Sequence, residues 1–214
     1  MNHSFKSFLE AAQRSAKLPL LCVALIGAPM AVLAHTGEVG HDHGALQAWM
    51  QGFVHPFTGW DHLATMLAVG AWSALALRRA WLAPAVFIGA LVVGASLGMS
   101  GLQLSAVEPM IAASLVVLGL LLASRAPVPL LAGGLIAGVF ALFHGAAHGQ
   151  QLAGLHAGYA LLGMVLATAL LHLCGMALGY ALRSRTAWAT RTAGVATAAL
   201  GMTLLLPAIA SAMA

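Results

Sequence analysis

Three features of the sequence predict an all-α, polytopic membrane protein with six transmembrane helices behind a cleaved signal peptide. Of its 214 residues, 61 % are hydrophobic and only 7 % charged, whereas a water-soluble domain carries about a quarter. The apolar residues come in runs of about 20, enough to cross a hydrocarbon core roughly 30 Å thick. The few cations stand between those runs rather than inside them.

The first element, residues 1–34, reads as a secretory signal. Its basic residues end at Lys17, an apolar run follows from Leu18 to Met30, and Val32-Leu33-Ala34 puts alanine at the cleavage position. The run is short for a span and is interrupted by Pro19 and Pro29; an uncleaved first anchor is the alternative. Cleavage leaves a mature chain that starts at His35 and keeps Cys174 but not Cys22, so no intramolecular disulfide forms.

Residues 35–55 form a histidine-containing periplasmic leader. Its first part, "HTGEVGHDHG" (35–44), is polar. Its second, "ALQAWMQGFV" (45–54), is mildly amphipathic, with Trp49 suited to the membrane interface. Residues 56–214 form the transmembrane domain, with spans at about 56–77, 82–100, 106–123, 129–147, 157–182 and 189–212. The short connections predict that neighbouring helices pack antiparallel in a compact bundle. The 24 glycines agree, because small residues let transmembrane helices approach closely. "GALVVGASLG" (89–98) and "GGLIAG" (133–138) read as packing faces.

Arginine sets the orientation. Arg78 and Arg79 follow the first span, Arg125 the third, and Arg183, Arg185 and Arg191 the fifth. The opposite loops, around 101–105 and 148–156, carry no lysine or arginine, and Glu38, Asp42, Asp61 and Glu108 lie on that side. The positive-inside rule then puts both mature termini outside the cytoplasm, in the periplasm of a bacterial inner membrane.

Two function classes fall away. The net charge of +4 forms no dense basic patch, so nucleic acid is not a partner. No G-x-x-x-x-G-K-[ST] stretch occurs, so the chain has no nucleotide-binding motif of that kind. The bilayer is a partner, and a homo-oligomer is compatible with the sequence.

Ionisable residues mark what remains. At about 1.5 Å per helical residue, His62 and Glu108 both lie roughly 25 Å above the arginine edge, and His144 and His148 at about 22 and 28 Å. Three spans thus bring ionisable groups to one level, and such groups inside a membrane usually face a functional interior. Imidazole with carboxylate suits divalent first-row ions. His144 and His148, four residues apart, share a helix face and can hold one ion. In "HPFTGWDH" (55–62), His55 and His62 would stand about 10 Å apart on a straight helix, too far for one ion unless Pro56 and Gly59 distort the backbone. His55 reads as the first ligand an incoming ion meets, and Asp61 with His62 as part of the main site. Glu108 fits that site equally with a plain role at a helix N-terminus. His172, roughly 16 Å deep, is either a second station on a pathway or a hydrogen-bonded packing residue. His35, His41 and His43 of the leader make an auxiliary metal collector or a merely solvated segment. Cys174 and the methionines read as packing.

"HPFTGWDH", together with "FHGAAHG" (143–149), resembles the HupE/UreJ family of nickel and cobalt transporters over the whole mature chain, and "VEPMIAAS" (107–114) is similar to that family's third span. The resemblance implies permeation of Ni²⁺ or Co²⁺ and site roles for His55, Asp61, His62, Glu108, His144 and His148. Where the family commonly has a glutamate three residues after its last motif histidine, this chain has Gln151. The expectation is uptake of Ni²⁺ or Co²⁺ as cargo, with no prosthetic group and no enzymatic activity. The rivals are a membrane-embedded metalloenzyme using the same ligands to activate water, and a periplasmic metal-sensing or assembly factor.

Overall fold

The computed structural model describes residues 44–152, 154, 156–183 and 187–213. The expected signal peptide and His35, His41 and His43 lie outside the described residues. Within them the chain is all helix: α1 Ala45–Thr58, α2 Trp60–Ala76, α3 Leu82–Met99, α4 Val107–Ser124, α5 Leu130–Leu152, α6 Ala157–Arg183 and α7 Ala187–Met213.

Five of these, α3 to α7, are long and apolar enough to cross a membrane. The expected first span, 56–77, is observed as α2 of 17 residues, because the backbone stops being helical at Gly59 (φ −99°, ψ 120°). Pro56 therefore lies inside α1. The expected fourth span, 129–147, extends further, to Leu152, so Gln150 and Gln151 are helical and not part of a loop.

Helix pairing follows glycine, not chain order. A Cβ on Gly94 or Gly98 of α3 would sit 2.1 Å from Leu142 O or 2.5 Å from Ala146 O of α5, and one on Gly145 or Gly149 would meet Leu91 O or Ala95 O at 2.1 Å. Contacts that rise together along both chains mean that α3 and α5 run parallel. By the same reading Gly70, Gly175 and Gly179 press α2 against α6 in parallel. Gly119, Gly194 and Gly201 lock α4 to α7 antiparallel, and Gly52 and Gly163 lock α1 to α6 antiparallel. The expectation that sequence neighbours pair most closely is thus corrected: the tightest pairs are α3 with α5, α4 with α7 and α2 with α6. Short connectors fix which ends are joined, but only a glycine face lets two backbones touch. Of the expected faces, "GALVVGASLG" packs through Gly94 and Gly98 while Gly89 meets nothing, and "GGLIAG" meets only the Leu77 and Val86 side chains.

The bundle has two chemically different ends. At one, the Arg183 guanidinium donates to Ala74 O and Val128 N–H to Ala76 O, filling carbonyls that the last turn of α2 leaves open. Arg125 donates to Arg183 O at 3.2 Å, so arginines from separate connections gather there. Trp72, Phe87, Leu91, Leu115, Leu118 and Met164 fill the middle, fully buried. The histidines gather toward the other end.

Candidate metal site

The break at Gly59 builds half of the site. Ending α1 there lets the chain fold back, and Asp61 Oδ1 and His62 Nδ1 come within 2.7 and 2.9 Å of where a Gly59 Cβ would stand. The His55 and His62 rings, about 10 Å apart on a straight helix, close to 6.0 Å between centroids. The other half needs no distortion, since α5 is unbroken and presents His144 and His148 one turn apart.

The halves meet ring to ring. His148 lies 4.7 Å from His55 and 4.6 Å from His62 by centroid, and His62 lies 5.6 Å from His144. His55 Nε2 and His148 Nδ1 are 3.1 Å apart, an N–H of one ring donating to the bare nitrogen of the other. Two nitrogens that each bind one ion at about 2.1 Å stand about 3 Å apart, so once the donor ring moves its proton to its other nitrogen, the pair is spaced to hold one cation with little movement of either ring. Burial, and next the nearby His62, lower the His55 pKa below its ordinary value, with Asp61 opposing. The ring is therefore neutral at pH 7 and keeps a lone pair to give.

Hydrogen bonds fix which nitrogen each remaining ring offers. His62 Nδ1–H donates to Asp61 Oδ1 at 2.9 Å, and His144 Nδ1–H to Phe140 O at 2.9 Å. Both Nε2 atoms are buried with no protein partner. An unpaired buried polar atom costs about 1–3 kcal/mol, and orienting a ring through its other N–H is how proteins prepare histidine for metal. In this arrangement no three His, Cys, Asp or Glu side chains among the described residues stand ready to hold one ion. His55 bonds to His148, His62 to Asp61 and His144 to Phe140 O instead, and a third ligand joins the His55–His148 pair on one ion only if its ring turns.

A cavity of about 790 Å³ opens onto the cluster. Since a water molecule takes up roughly 30 Å³ of liquid, an ion with its first water layer fits. His55, Asp61, His62 and His148 line it, with Glu108 and Gln151 on its walls; these last two are at the rim, where both are exposed to solvent. His144 is fully buried behind His62. His172 stands apart, also buried, and donates from Nδ1 to Met66 O at 2.8 Å.

Sequence reasoning missed two contributors. Leu204, Pro207, Ala208 and Ser211 of α7 close one side of the cavity; as ordinary apolar or small residues, nothing marks them in the sequence. Gly145 and Gly149 each follow a site histidine by one residue and bind α5 to the α3 backbone. A signal for them exists, because "HGAAHG" is at once a His-x-x-x-His pair and a Gly-x-x-x-Gly pair.

The sequence model for HupE / UreJ proteins matches residues 23–204. Protein HupE of Rhizobium leguminosarum bv. viciae is 37 % identical over 176 residues, covering 79 % of this chain and 91 % of that protein. No solved structure matches the chain.

Proposed function

Because the chain belongs to the HupE/UreJ family, we propose that it takes up Ni²⁺ or Co²⁺ across the bacterial inner membrane, as the family's association with nickel and cobalt uptake suggests. One observation carries the site: four imidazoles from α1, α2 and α5 converge beside Asp61, and two of them hold buried, unpartnered Nε2 atoms. In this reading α2, prolonged by the α1–α2 junction, is the first of six spans. The arginine end faces the cytoplasm, and the mature N-terminus, after loss of residues 1–34, faces the periplasm.

The ion arrives hydrated in the cavity, where Glu108 and Asp61 attract it. The donor ring of the His55–His148 pair shifts its proton to its own other nitrogen through cavity water, so that both rings turn a lone pair to the ion as neutral ligands, and His62 and His144 complete its removal from water. Neutral nitrogens with few carboxylates favour Ni²⁺ and Co²⁺ over oxygen-preferring Mg²⁺ or Ca²⁺. Ligands that hydrogen-bond to one another without metal, His55 to His148 and His62 to Asp61, also support release, since conduction needs a site weak enough to leave. With no nucleotide-binding motif, passage is facilitated or secondary, and the chain is a carrier and not an enzyme.

Uptake of radioactive Ni²⁺ and Co²⁺ by cells expressing the protein tests this. His148→Ala should abolish uptake at every metal concentration. The double substitution His41→Ala with His43→Ala should lower it only when metal is scarce, because a flexible collector raises local ion concentration without lining the route. If His148→Ala transports normally at matched expression, the site is elsewhere. Orientation has its own test: a cysteine at Gln103 should react with an impermeant periplasmic reagent and one at Ala126 should not.

A further inference from the structure

His172 of α6 is one of four residues among those described with a buried side-chain nitrogen that has no protein partner. Its ring is 1 % exposed. Its Nδ1–H reaches across to Met66 O at 2.8 Å, which leaves the lone pair on Nε2. The bond is not needed to satisfy Met66, whose carbonyl already sits inside the hydrogen-bonded run of α2. A histidine serving only to pack would leave a lone pair dry to no purpose, at the usual cost of an unsatisfied buried group.

Its surroundings are rigid. A Cβ on Gly70 would come within 2.2 Å of His172 O, so the α2 and α6 backbones touch at this level and hold the ring in place. On its other side stands Phe87 of α3, fully buried, with its ring centroid 5.1 Å from His172 and 5.7 Å from His144. One phenyl ring is thus shared by two imidazoles, both fixed through Nδ1–H on a backbone carbonyl and both offering an unpartnered Nε2. By residue count His172 is about one helical turn nearer the arginine end than His144.

We propose that His172 is an inner station for the divalent cation, which receives it from His144 past the Phe87 ring. The proposal rests on the uptake reading above. Phe87 closes the route to water, and its ring face favours a cation in transit. Each nitrogen offers a first-row ion one neutral ligand, so the ion is held briefly at each level.

The test uses the purified full-length protein in proteoliposomes, with Co²⁺ as the probe and His172→Gln and His172→Ala as variants. Glutamine can still donate to Met66 O but carries no imidazole. Both variants should lose at least about tenfold in initial Co²⁺ uptake, while Co²⁺ binding at the outer cluster, read from its visible absorption, stays within about twofold of wild type. If His172→Gln restores uptake to within about twofold, the residue only packs and the proposal is overturned. Should neither variant fold, the wild type decides. Under Cu²⁺ and ascorbate, a redox-active surrogate, His172 should be oxidised in peptide maps and protected by excess Co²⁺. Oxidation confined to the outer histidines overturns the proposal. Absence of Co²⁺ uptake by the wild type would instead remove the parent reading and this inference with it.

Discussion

On α5, His144 and His148 share a face because the helix is unbroken; at the α1–α2 junction, His55 and His62 meet because the helix stops. Each motif has glycines, and they act differently. Gly145 and Gly149 bring α5 against the backbone of α3, with Cβ positions 2.1 Å from carbonyl oxygens. Gly59 faces only side-chain atoms, Asp61 Oδ1 and His62 Nδ1. The first pair is built into the bundle, and the second is a local bend that positions ligands. The α5 histidines are therefore the fixed half of the cluster, and the junction is the half that adjusts when an ion arrives.

The largest effect should come from attacking the fixed half where it touches α3. Gly149→Ala places a methyl group against Ala95 O, and no side chain can move aside to relieve it. Overpacking costs about 1–3 kcal/mol even where neighbours can shift, so the loss here should exceed about 3 kcal/mol. The protein should fail to accumulate in the membrane, with uptake falling in proportion. Gly145→Ala should behave alike, since it meets Leu91 O. Normal amounts of folded Gly149→Ala protein, measured by fluorescence-detected size exclusion, would mean that α3 and α5 are not held together by this contact.

Gly59→Ala should separate the halves more sharply. The methyl group displaces the Asp61 carboxylate and the His62 ring, both ends of mobile side chains, so the fold should survive. Ligand geometry should not: disturbing the groups that orient a metal-binding histidine typically loses about 10–100-fold in affinity. A Co²⁺ titration of the purified variant should show that loss with an unchanged melting profile. Equal affinity would show that the bend is incidental and that α5 holds the ion without it.

The same contrast explains what the sequence disclosed. A regular helix has one geometry, so the shared face of His144 and His148 follows from spacing four. The depth count likewise groups His62, Glu108 and the α5 pair at one end, where the cavity and the ring contacts also place them. A broken helix has many geometries. The segment from His55 to His62 makes closure conditional on Pro56 and Gly59, and only the fold shows that Gly59 is where the helix ends. Long-range pairing is less legible still. Twenty-four glycines are spread along the chain, and which of them face a partner depends on rotations that a weakly amphipathic sequence does not encode. Hence sequence reasoning finds Gly94 and Gly98 but favours "GGLIAG" over Gly145 and Gly149.

The smallest expected effect tests how far the cluster's chemistry extends to its rim. Gln151 is about one turn beyond His148 on α5 and lines the cavity wall with Glu108, yet it is exposed. Gln151→Glu adds a carboxylate to a cavity that already holds two, Asp61 and Glu108, and so should bind a dication more tightly. Exposed charges are well screened, which limits the gain to about 1 kcal/mol, or roughly fivefold in affinity. The change should also be selective. A carboxylate oxygen suits Mn²⁺ better than it suits Ni²⁺, so competition by Mn²⁺ against Ni²⁺ uptake should become stronger in the variant. The gain in binding should vanish in the His148→Ala background if the rim only feeds the histidine cluster, and persist if the added carboxylate binds ions by itself. Identical Ni²⁺, Co²⁺ and Mn²⁺ competition profiles for wild type and Gln151→Glu would end the site at His148 and make a rim carboxylate irrelevant to metal choice.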